Sequence, residues 1–400
     1  MTVGITIKAD TGLWANGLGQ NAYFLYDILR QVDSIDELCL VVFDRTFDSK
    51  KLNNAEHLKE YDVVHWHENI DNIDVLITMG MMPSDQDLRY FKSRENTRVV
   101  GFKGGNNLIL STEDMLFERK WGQKDAEEVH KGIAYPDRQG LYDEIWMVPQ
   151  QEYHNKDYFE ITYGCPAITT PFIWSPKFIE EAAEKLKNIL PDFNILFQDR
   201  KDFEQWRVAC MEPNTSILKN MMPIIHSMEW AYKQSKDLFK SFNVTNAKEF
   251  LDNPILITIG KVLEINKDKK LVFDRRWPIS NLLGLRADMV VSHQWGNPLN
   301  YAYLDVVYFG YPLIHNAHLC QDIGYYYSDF NLKEAGDLIV QVARTHKENK
   351  DYMSNNRKTI SRYTVKNKAM IKQYSDLIEG LLDPSKKPIG NYNWETNLIE

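Results

Sequence analysis

Short apolar runs alternate with amphipathic stretches along most of the chain, and this alternation limits the possible folds more than any other feature. The first series of runs predicts strands at 3–7, 38–43, 62–67, 74–80, 97–102 and 144–149. The second series predicts strands at 194–198, 206–211, 255–260, 271–274, 288–293 and 311–316. Between them, residues 163–176 contain three prolines, which is typical of an interdomain connection. Strands that alternate with helical stretches predict parallel sheets built from βαβ units.

The length of 400 residues exceeds what one hydrophobic core usually organises, so we expect two α/β domains. We place the first domain at 1–172 and the second at 173–360. A helical segment follows at 361–383, and residues 384–400 are expected to be a loose tail. The two domains are therefore of similar size, with one parallel sheet predicted in each.

The charge and the cysteines exclude several classes of protein. With 47 basic and 56 acidic side chains the net charge is −9, which argues against a positive coat for non-specific nucleic-acid binding. The four cysteines are far apart and predict neither a disulfide framework nor a zinc site. No signal peptide and no apolar run of roughly 18 residues is found, so we expect a cytoplasmic protein without stable membrane insertion.

The segment 290–316, VVSHQWGNPLNYAYLDVVYFGYPLIHN, places polar residues between apolar runs. The pattern predicts a strand, a loop, a helix over 300–309 and a second strand. A loop that leads into a helix start presents free N–H groups, which suit a pyrophosphate. Asp305 lies within the helix among apolar neighbours, where ribose hydroxyls would explain it. Its simpler interpretation, left open at this point, is an acid that faces water on an amphipathic helix.

The same segment resembles the donor-binding signature of glycosyltransferases with the GT-B fold. In that family a strand ending in Ser leads to a glycine-containing loop, and a helix then carries an acid five residues before a Gly-x-Pro. Asp305, Gly310 and Pro312 have this spacing. Many retaining members carry a second acid eight residues earlier, where this chain has Asn297. That departure leaves the stereochemistry of transfer open.

The resemblance implies an architecture and a set of donor contacts. It implies two Rossmann-like domains facing a cleft, with the segment 361–383 crossing back to the first domain, and it implies that Asp305 grips the nucleotide ribose. Glu212 is expected to bind sugar hydroxyls, Lys219 on the next helix to meet phosphate, and one of two arginines to bind the diphosphate. The candidates for donor contacts are Glu212, Asn214, Lys219, Arg275, Arg276, Ser292, His293, Asn297, Asn300 and Asp305. An N-capping Asn and a solvated Lys are the structural alternative for residues 214 and 219.

The first domain supplies candidates for catalysis and for acceptor contacts. Asp10 follows the first strand, and strand geometry would place His65 and His67 on one face, where either could act as a general base. A third metal ligand is missing, so we expect no metal. The acceptor-side candidates are Gly17, Gly19, Lys103 and Asn106, with the two glycines in a loop before the first helix.

The expected reaction is sugar transfer from a nucleoside diphosphate sugar, a UDP-sugar in the first instance, with no further cofactor. Residues 333–372 contain ten basic and four acidic side chains, a local net of +6, and the composition is similar to that of phage DNA-modifying glycosyltransferases. We therefore expect the acceptor to be a hydroxymethylated pyrimidine in phage DNA, in a bacterial or phage-infected cytoplasm. The alternatives are a capsule or lipopolysaccharide acceptor, a non-catalytic nucleotide-sugar-binding protein and a sugar-nucleotide epimerase. The oligomeric state is left open.

Overall fold

A computed structural model describes residues 1–7, 17–43, 60–79, 81–117 and 139–400. The strands are β1 Thr2–Thr6, β2 Glu37–Val42, β3 Val63–His65, β4 Val75–Thr78, β5 Arg98–Lys103, β6 Glu144–Met147, β7 Ala167–Thr169, β8 Trp206–Cys210, β9 Phe239–Val244, β10 Leu271–Phe273, β11 Met289–Val291, β12 Leu313–His315, β13 Tyr325–Tyr326, β14 Tyr392–Asn393 and β15 Leu398–Ile399.

The α-helices alternate with the strands along most of the described chain. They are α1 Gly17–Leu29, α2 Trp66–Asn69, α3 Asp85–Lys92, α4 Asn107–Phe117, α5 Glu152–Tyr163, α6 Lys177–Ile189, α7 Met221–Gln234, α8 Pro254–Val262, α9 Glu264–Lys267, α10 Ile279–Leu282, α11 Tyr301–Tyr308, α12 Leu332–Thr345, α13 Tyr352–Ile360 and α14 Lys368–Gly380. No helix in the described part of the chain is long and apolar enough to cross a membrane.

The chain forms two compact units. The first contains Met1–Ser175 together with Arg362–Glu400, and the second contains Pro176–Ser361. The chain enters the second unit at the last proline of the segment 163–176. It returns to the first unit at Arg362, where α14 packs against α1.

The first unit is built on a seven-stranded parallel sheet with the strand order β3-β2-β1-β4-β5-β6-β7. The central strand residues Val3, Ile5 and Leu76 are fully buried, as expected for a parallel sheet covered on both faces. The segment 384–400, expected to be a loose tail, contains the antiparallel pair β14–β15. Asn397, in the turn between these two strands, is fully buried, so this segment is part of the first unit's core.

The second unit contains a six-stranded parallel sheet with the strand order β10-β9-β8-β11-β12-β13. This order makes β8 and β11 direct neighbours, with Cys210 opposite Val291, although they are far apart in the sequence. Since all pairs are parallel, the polar residues that follow β8, β11 and β12 meet at one edge of the sheet. Ligands of open α/β sheets bind at this carboxyl edge.

Three of the predicted strands need correction. Residues 255–260 belong to the helix α8, because Asn253 caps its first turn and Pro254 occupies its first position. Residues 194–198 contain no strand and lead into a 3-10 turn at Phe197–Asp199. The strand predicted at 62–67 stops at His65, where α2 begins.

Five strands were not predicted from the sequence: β7, β9, β13, β14 and β15. All but β9 are only two or three residues long. The strand β9, with the sequence FKSFNV, lies inside the second sheet between β8 and β10. Its three polar residues, Lys240, Ser241 and Asn243, are exposed or half-buried and interrupt the apolar run. An apolar-run criterion therefore misses it.

Candidate functional site

Four buried polar side chains meet where β8 and β11 end, and we call them the Glu212 cluster. Glu212 and Lys219 lie in the segment after β8, Ser292 directly follows β11, and Tyr303 lies on α11; their exposed fractions are 4%, 8%, 2% and 2%. The Ser292 hydroxyl donates to a Glu212 carboxylate oxygen. Ser292 Oγ also lies 2.8 Å from the Tyr303 hydroxyl, and Lys219 Nζ lies 5.6 Å from the centroid of the Tyr303 ring.

Burial dominates the electrostatics of this cluster. Removal from water raises the pKa of Glu212, and the nearby Lys219 charge and the Ser292 hydroxyl oppose that rise. Removal from water lowers the pKa of Lys219, and the Glu212 carboxylate opposes that fall. Each charged group therefore limits the cost of burying the other. A cationic amine beside a carboxylate and two hydroxyls offers contacts for both phosphate and sugar hydroxyl groups.

The loop after β11 is fixed to the loop after β12. The backbone N–H of Gln294 donates to Asn316 Oδ1 at 2.8 Å, and the Asn316 amide donates back to the Gln294 carbonyl at 2.9 Å. The Gln294 side chain donates to the Asn316 carbonyl, and its Oε1 accepts the N–H of Asn297 at 2.7 Å. These hydrogen bonds connect the two loops at the carboxyl edge of the sheet.

The helix α11 follows this loop and carries Asp305. Only 8% of Asp305 is exposed, so the interpretation of an acid that faces water is wrong. Asn300 is the N-cap, and its side chain accepts the N–H of Ala302 at 3.2 Å. One of the N–H groups predicted to be free for a pyrophosphate is therefore already occupied by Asn300.

Two residues at the same edge were missed from the sequence. Tyr327 is 1% exposed, and its hydroxyl lies 2.8 Å from His293 Nδ1. It directly follows β13, a strand of two residues that the apolar runs did not predict, so the rule that polar groups after parallel strands form the site could not be applied to it. Tyr303 gave no signal either, because a Tyr among apolar helix residues is an ordinary core residue.

Three other donor-side predictions are placed differently by the structure. Asn214 has a left-handed backbone with φ 55°, and its side chain accepts the N–H of Met221 at 2.7 Å, so it organises the turn before α7. Lys219 lies in that turn and not on the helix, which begins at Met221. Arg275 and Arg276 are exposed and follow the edge strand β10, with β9 lying between that strand and β8.

The structure also shows where the candidate residues of the first unit lie. His65 ends β3 whereas His67 lies on α2, so the shared strand face is wrong, although their ring centroids are 5.4 Å apart. Lys103 ends β5, with Nζ 4.8 Å from the centroid of the Tyr163 ring. Asn106 is buried, and its Oδ1 accepts the N–H of Ile109 and the side-chain amide of Asn155.

The remaining first-unit candidates are the glycines and Asp10. The helix α1 begins at Gly17, so Gly17 and Gly19 belong to its first turn and not to a preceding loop. A side chain added at Gly19 would meet nothing within 4 Å. Asp10 lies outside the described residues. Within the described residues no three His, Cys, Asp or Glu side chains are grouped so as to hold a metal ion.

The first unit contains a cavity of about 650 Å³ beside the ends of β2, β3 and β4. Aromatic rings and methionines form much of its lining, together with the carboxyl groups of Asp71 and Asp87. Asp87 accepts the indole N–H of Trp66 at 3.2 Å, and Asp71 accepts the Tyr90 hydroxyl at 2.8 Å. No Lys or Arg is among the described residues that line the cavity.

Comparison with known protein families identifies the family of this chain. A model of the family described as "Protein of unknown function (DUF2827)" matches residues 2–378. The chain belongs to this family. A search of curated protein sequences gives no match.

Solved structures show which fold this member of the DUF2827 family has. A glycosyltransferase from Rickettsia africae ESF-5 is 10% identical, covering 96% of this chain and 98% of that chain, with a TM-score of 0.54. Sucrose-phosphate synthase from Thermosynechococcus elongatus is 12% identical, covering 96% and 99%, with a TM-score of 0.54. A UDP-forming α,α-trehalose-phosphate synthase from Burkholderia xenovorans is 10% identical, covering 95% and 99%, with a TM-score of 0.52. The predicted α/β architecture of GT-B glycosyltransferases, with two parallel sheets, is confirmed.

Proposed function

We propose that this protein is a glycosyltransferase that moves a sugar from a UDP-sugar, or another nucleoside diphosphate sugar, to an acceptor hydroxyl without a further cofactor. The observation that carries the proposal is the Glu212 cluster, which lies at the carboxyl edge of the second sheet of a GT-B fold. An amine, a carboxylate and two hydroxyls in a buried setting match the mixed chemistry of such a donor.

The cluster suits the donor half of the reaction. The acceptor oxygen attacks the anomeric carbon while the bond from that carbon to the diphosphate breaks, and negative charge builds on the leaving diphosphate. We assign the stabilisation of that charge to Lys219 and the ribose hydroxyls to Asp305 on α11, and the burial of both side chains supports this assignment. The acceptor proton passes to a base, for which Asp10, His65 and His67 are the candidates from the sequence.

For the acceptor we propose a neutral saccharide, such as a unit of a capsule or lipopolysaccharide. The cavity of the first unit supports this class, because aromatic rings with carboxyl groups suit sugar faces and hydroxyls and disfavour a polyanion. The DNA acceptor rests on the basic run 333–372, which divides between the two units at Arg362. Within that run, Lys347 donates to the Phe203 carbonyl and Arg357 to the Tyr308 carbonyl, so two of its cations are held against the backbone of the second unit.

A mass-spectrometric transfer assay tests both parts of the proposal. The protein is mixed with single UDP- and GDP-sugars and offered lipopolysaccharide or capsule oligosaccharides, DNA, or DNA containing hydroxymethylcytosine. Nucleoside diphosphate release with a mass gain on an oligosaccharide is the expected result. A mass gain on hydroxymethylated DNA alone would keep the glycosyltransferase and overturn the saccharide acceptor.

The other two hypotheses give different products in the same assay. A non-catalytic binding protein would bind a nucleotide sugar and release no nucleotide. An epimerase would convert the sugar of the donor with no acceptor present. Either result would overturn the proposed transfer while keeping a nucleotide-sugar site.

A further inference from the structure

Three histidines are deeply buried in the described second unit: His293, His315 and His346, with exposed fractions of 3%, 0% and 3%. Burial lowers the pKa of each to about 4, so all three are neutral at physiological pH. A neutral imidazole has one N–H donor and one bare acceptor nitrogen. What distinguishes the three is whether both nitrogens have a partner.

Both nitrogens are paired in two of the three. His315 Nε2 lies 2.9 Å from the Ile323 carbonyl, and its Nδ1 accepts the N–H of Ala317 at 3.1 Å. His346 Nδ1 lies 2.9 Å from the Tyr325 hydroxyl, and its Nε2 lies 3.2 Å from the Gly310 carbonyl. These two rings need no ligand to complete their hydrogen bonds.

In His293 only Nδ1 is paired, 2.8 Å from the Tyr327 hydroxyl, while Nε2 is buried without a hydrogen-bond partner. The Tyr327 hydroxyl donates its single proton to the Ser292 carbonyl at 3.1 Å. It can therefore only accept from His293, which places the imidazole proton on Nδ1. The unpaired Nε2 is consequently a bare acceptor at the carboxyl edge of the sheet.

A second acceptor in the same loop is in the same condition. Asn297 Oδ1 is buried and has no hydrogen-bond partner. Two buried acceptors without donors are a costly arrangement, since each such group usually finds a partner in a folded protein. The chemistry of the pair is specific, because bare acceptors attract hydroxyl donors and repel the oxygens of a phosphate.

We propose that His293 is a specificity-determining residue that accepts a hydrogen bond from a sugar hydroxyl of the bound nucleotide sugar, with Tyr327 and Ser292 fixing its tautomer. This inference rests on the proposed function and adds a residue to the same site. It assigns the sugar to the loop 293–297 and leaves the diphosphate to Lys219. A donor with no hydroxyl aimed at Nε2 is discriminated against, because it leaves this nitrogen unpaired.

Phe330 covers the ring of His293 in the structure. Its ring lies edge-to-face against His293, with centroids 4.5 Å apart, and 52% of Phe330 is exposed. Trp295 contacts Phe330 at 5.8 Å between centroids and is 54% exposed. Access of a hydroxyl to Nε2 therefore requires the Phe330 ring to turn aside, and a ring that is already half in water can do so at low cost.

Two substitutions at this position separate the functions of the two nitrogens. His293→Asn keeps an amide N–H near Nδ1 for Tyr327 and removes the acceptor at Nε2. His293→Gln places an amide oxygen near Nε2 and so restores an acceptor. His346→Asn is the matched control, because His346 is equally buried and also bonded to a tyrosine through Nδ1, but its Nε2 is already paired.

The experiment is calorimetric titration of each variant with UDP-glucose, UDP-galactose, UDP-N-acetylglucosamine and GDP-mannose, and with UDP and GDP alone. We expect His293→Asn to lower the affinity for the preferred nucleotide sugar by about tenfold, as for one lost hydrogen bond. The affinity for UDP or GDP alone should not change. His293→Gln should recover most of the loss, and His346→Asn should show none of it. Circular dichroism and thermal melting confirm that each variant is folded.

Two results would overturn the inference, and they can be told apart. In the first, the wild-type protein binds a nucleotide sugar and His293→Asn either binds it equally well or loses as much affinity for UDP as for the nucleotide sugar. His293 then does not select the sugar, although the proposed function stands. If the wild-type protein binds none of the nucleotide sugars or nucleoside diphosphates, the proposed function fails and this inference fails with it.

Discussion

At the scale of single residues, the burial of Glu212 and Lys219 makes their charges depend on each other. Glu212→Gln keeps an acceptor for Ser292 but leaves the buried Lys219 without its carboxylate, and we expect a loss of about 3 kcal/mol in the free energy of unfolding at pH 7. Because burial lowers the pKa of Lys219 from 10.5, the cost of its charge shrinks as the pH rises through that range. Urea unfolding should show that the difference in unfolding free energy between the variant and the wild type is smaller at pH 10 than at pH 7.

Lys219→Met should give the opposite pH dependence and serves as the partner experiment. The folded pKa of Glu212 is raised above 4.5, so the cost of its charge is present at neutral pH and disappears as the pH falls towards 4.5. If both variants lose the same stability at every pH, burial of the two charges does not govern this cluster.

Asp305 tests the nucleotide side of the site at the same scale. If Asp305 binds the ribose as proposed, Asp305→Ala should weaken UDP binding by at least tenfold, because the carboxylate that accepts the ribose hydroxyls is removed, and Asp305→Asn should weaken it less. Calorimetry with UDP measures both. Asp337→Ala is the control, since Asp337 lies on α12 and accepts the indole N–H of Trp230 at the surface. An unchanged UDP affinity in Asp305→Ala would remove this residue from the donor site.

At the scale of secondary-structure elements, the helix α8 shows what a local cap can override. Its sequence PILITIGKV is rich in β-branched residues, but the Asn253 side chain accepts the N–H groups of Ile255 and Leu256. We expect Asn253→Ala to cost about 1 kcal/mol of unfolding free energy and Asn253→Ser to cost less. Equal stability of both variants and the wild type in urea unfolding would show that packing alone sets this helix.

The sequence predicted the elements whose physics is local and missed what depends on distant partners. The strand, loop, helix and strand over 288–316 were predictable, because apolar runs and turn residues specify them. The meeting of Glu212 with Ser292 was not, since it requires β8 to pair with β11, 80 residues later. The strand β9 was missed because its polar residues face outward and hide the apolar alternation.

At the scale of the whole molecule, the first unit is completed by residues that are distant in sequence, whereas the second unit is one continuous segment. The first unit takes in Arg362–Glu400, and Asn397 in that segment is fully buried against Phe172. The Asn397 side chain accepts the N–H of Phe172 and donates to its carbonyl, both at 2.9 Å. One amide thus joins the end of the chain to the end of the first sheet, and the last residues of the sequence carry part of that unit's stability.

This arrangement predicts a defect confined to one unit. Asn397 has a φ of 61°, so Asn397→Gly keeps the left-handed backbone while removing the side-chain hydrogen bonds to Phe172 together with those to Tyr392 and Arg362, and we expect it to cost about 2 kcal/mol or more. Hydrogen exchange followed by mass spectrometry should then show faster exchange in first-unit peptides, with the sheet of the second unit unchanged. Asn391→Ala, an exposed change in the same segment, should leave both units as they are. Faster exchange in both units, or in neither, would mean that the hydrogen bonds of the Asn397 side chain do not hold the first unit together.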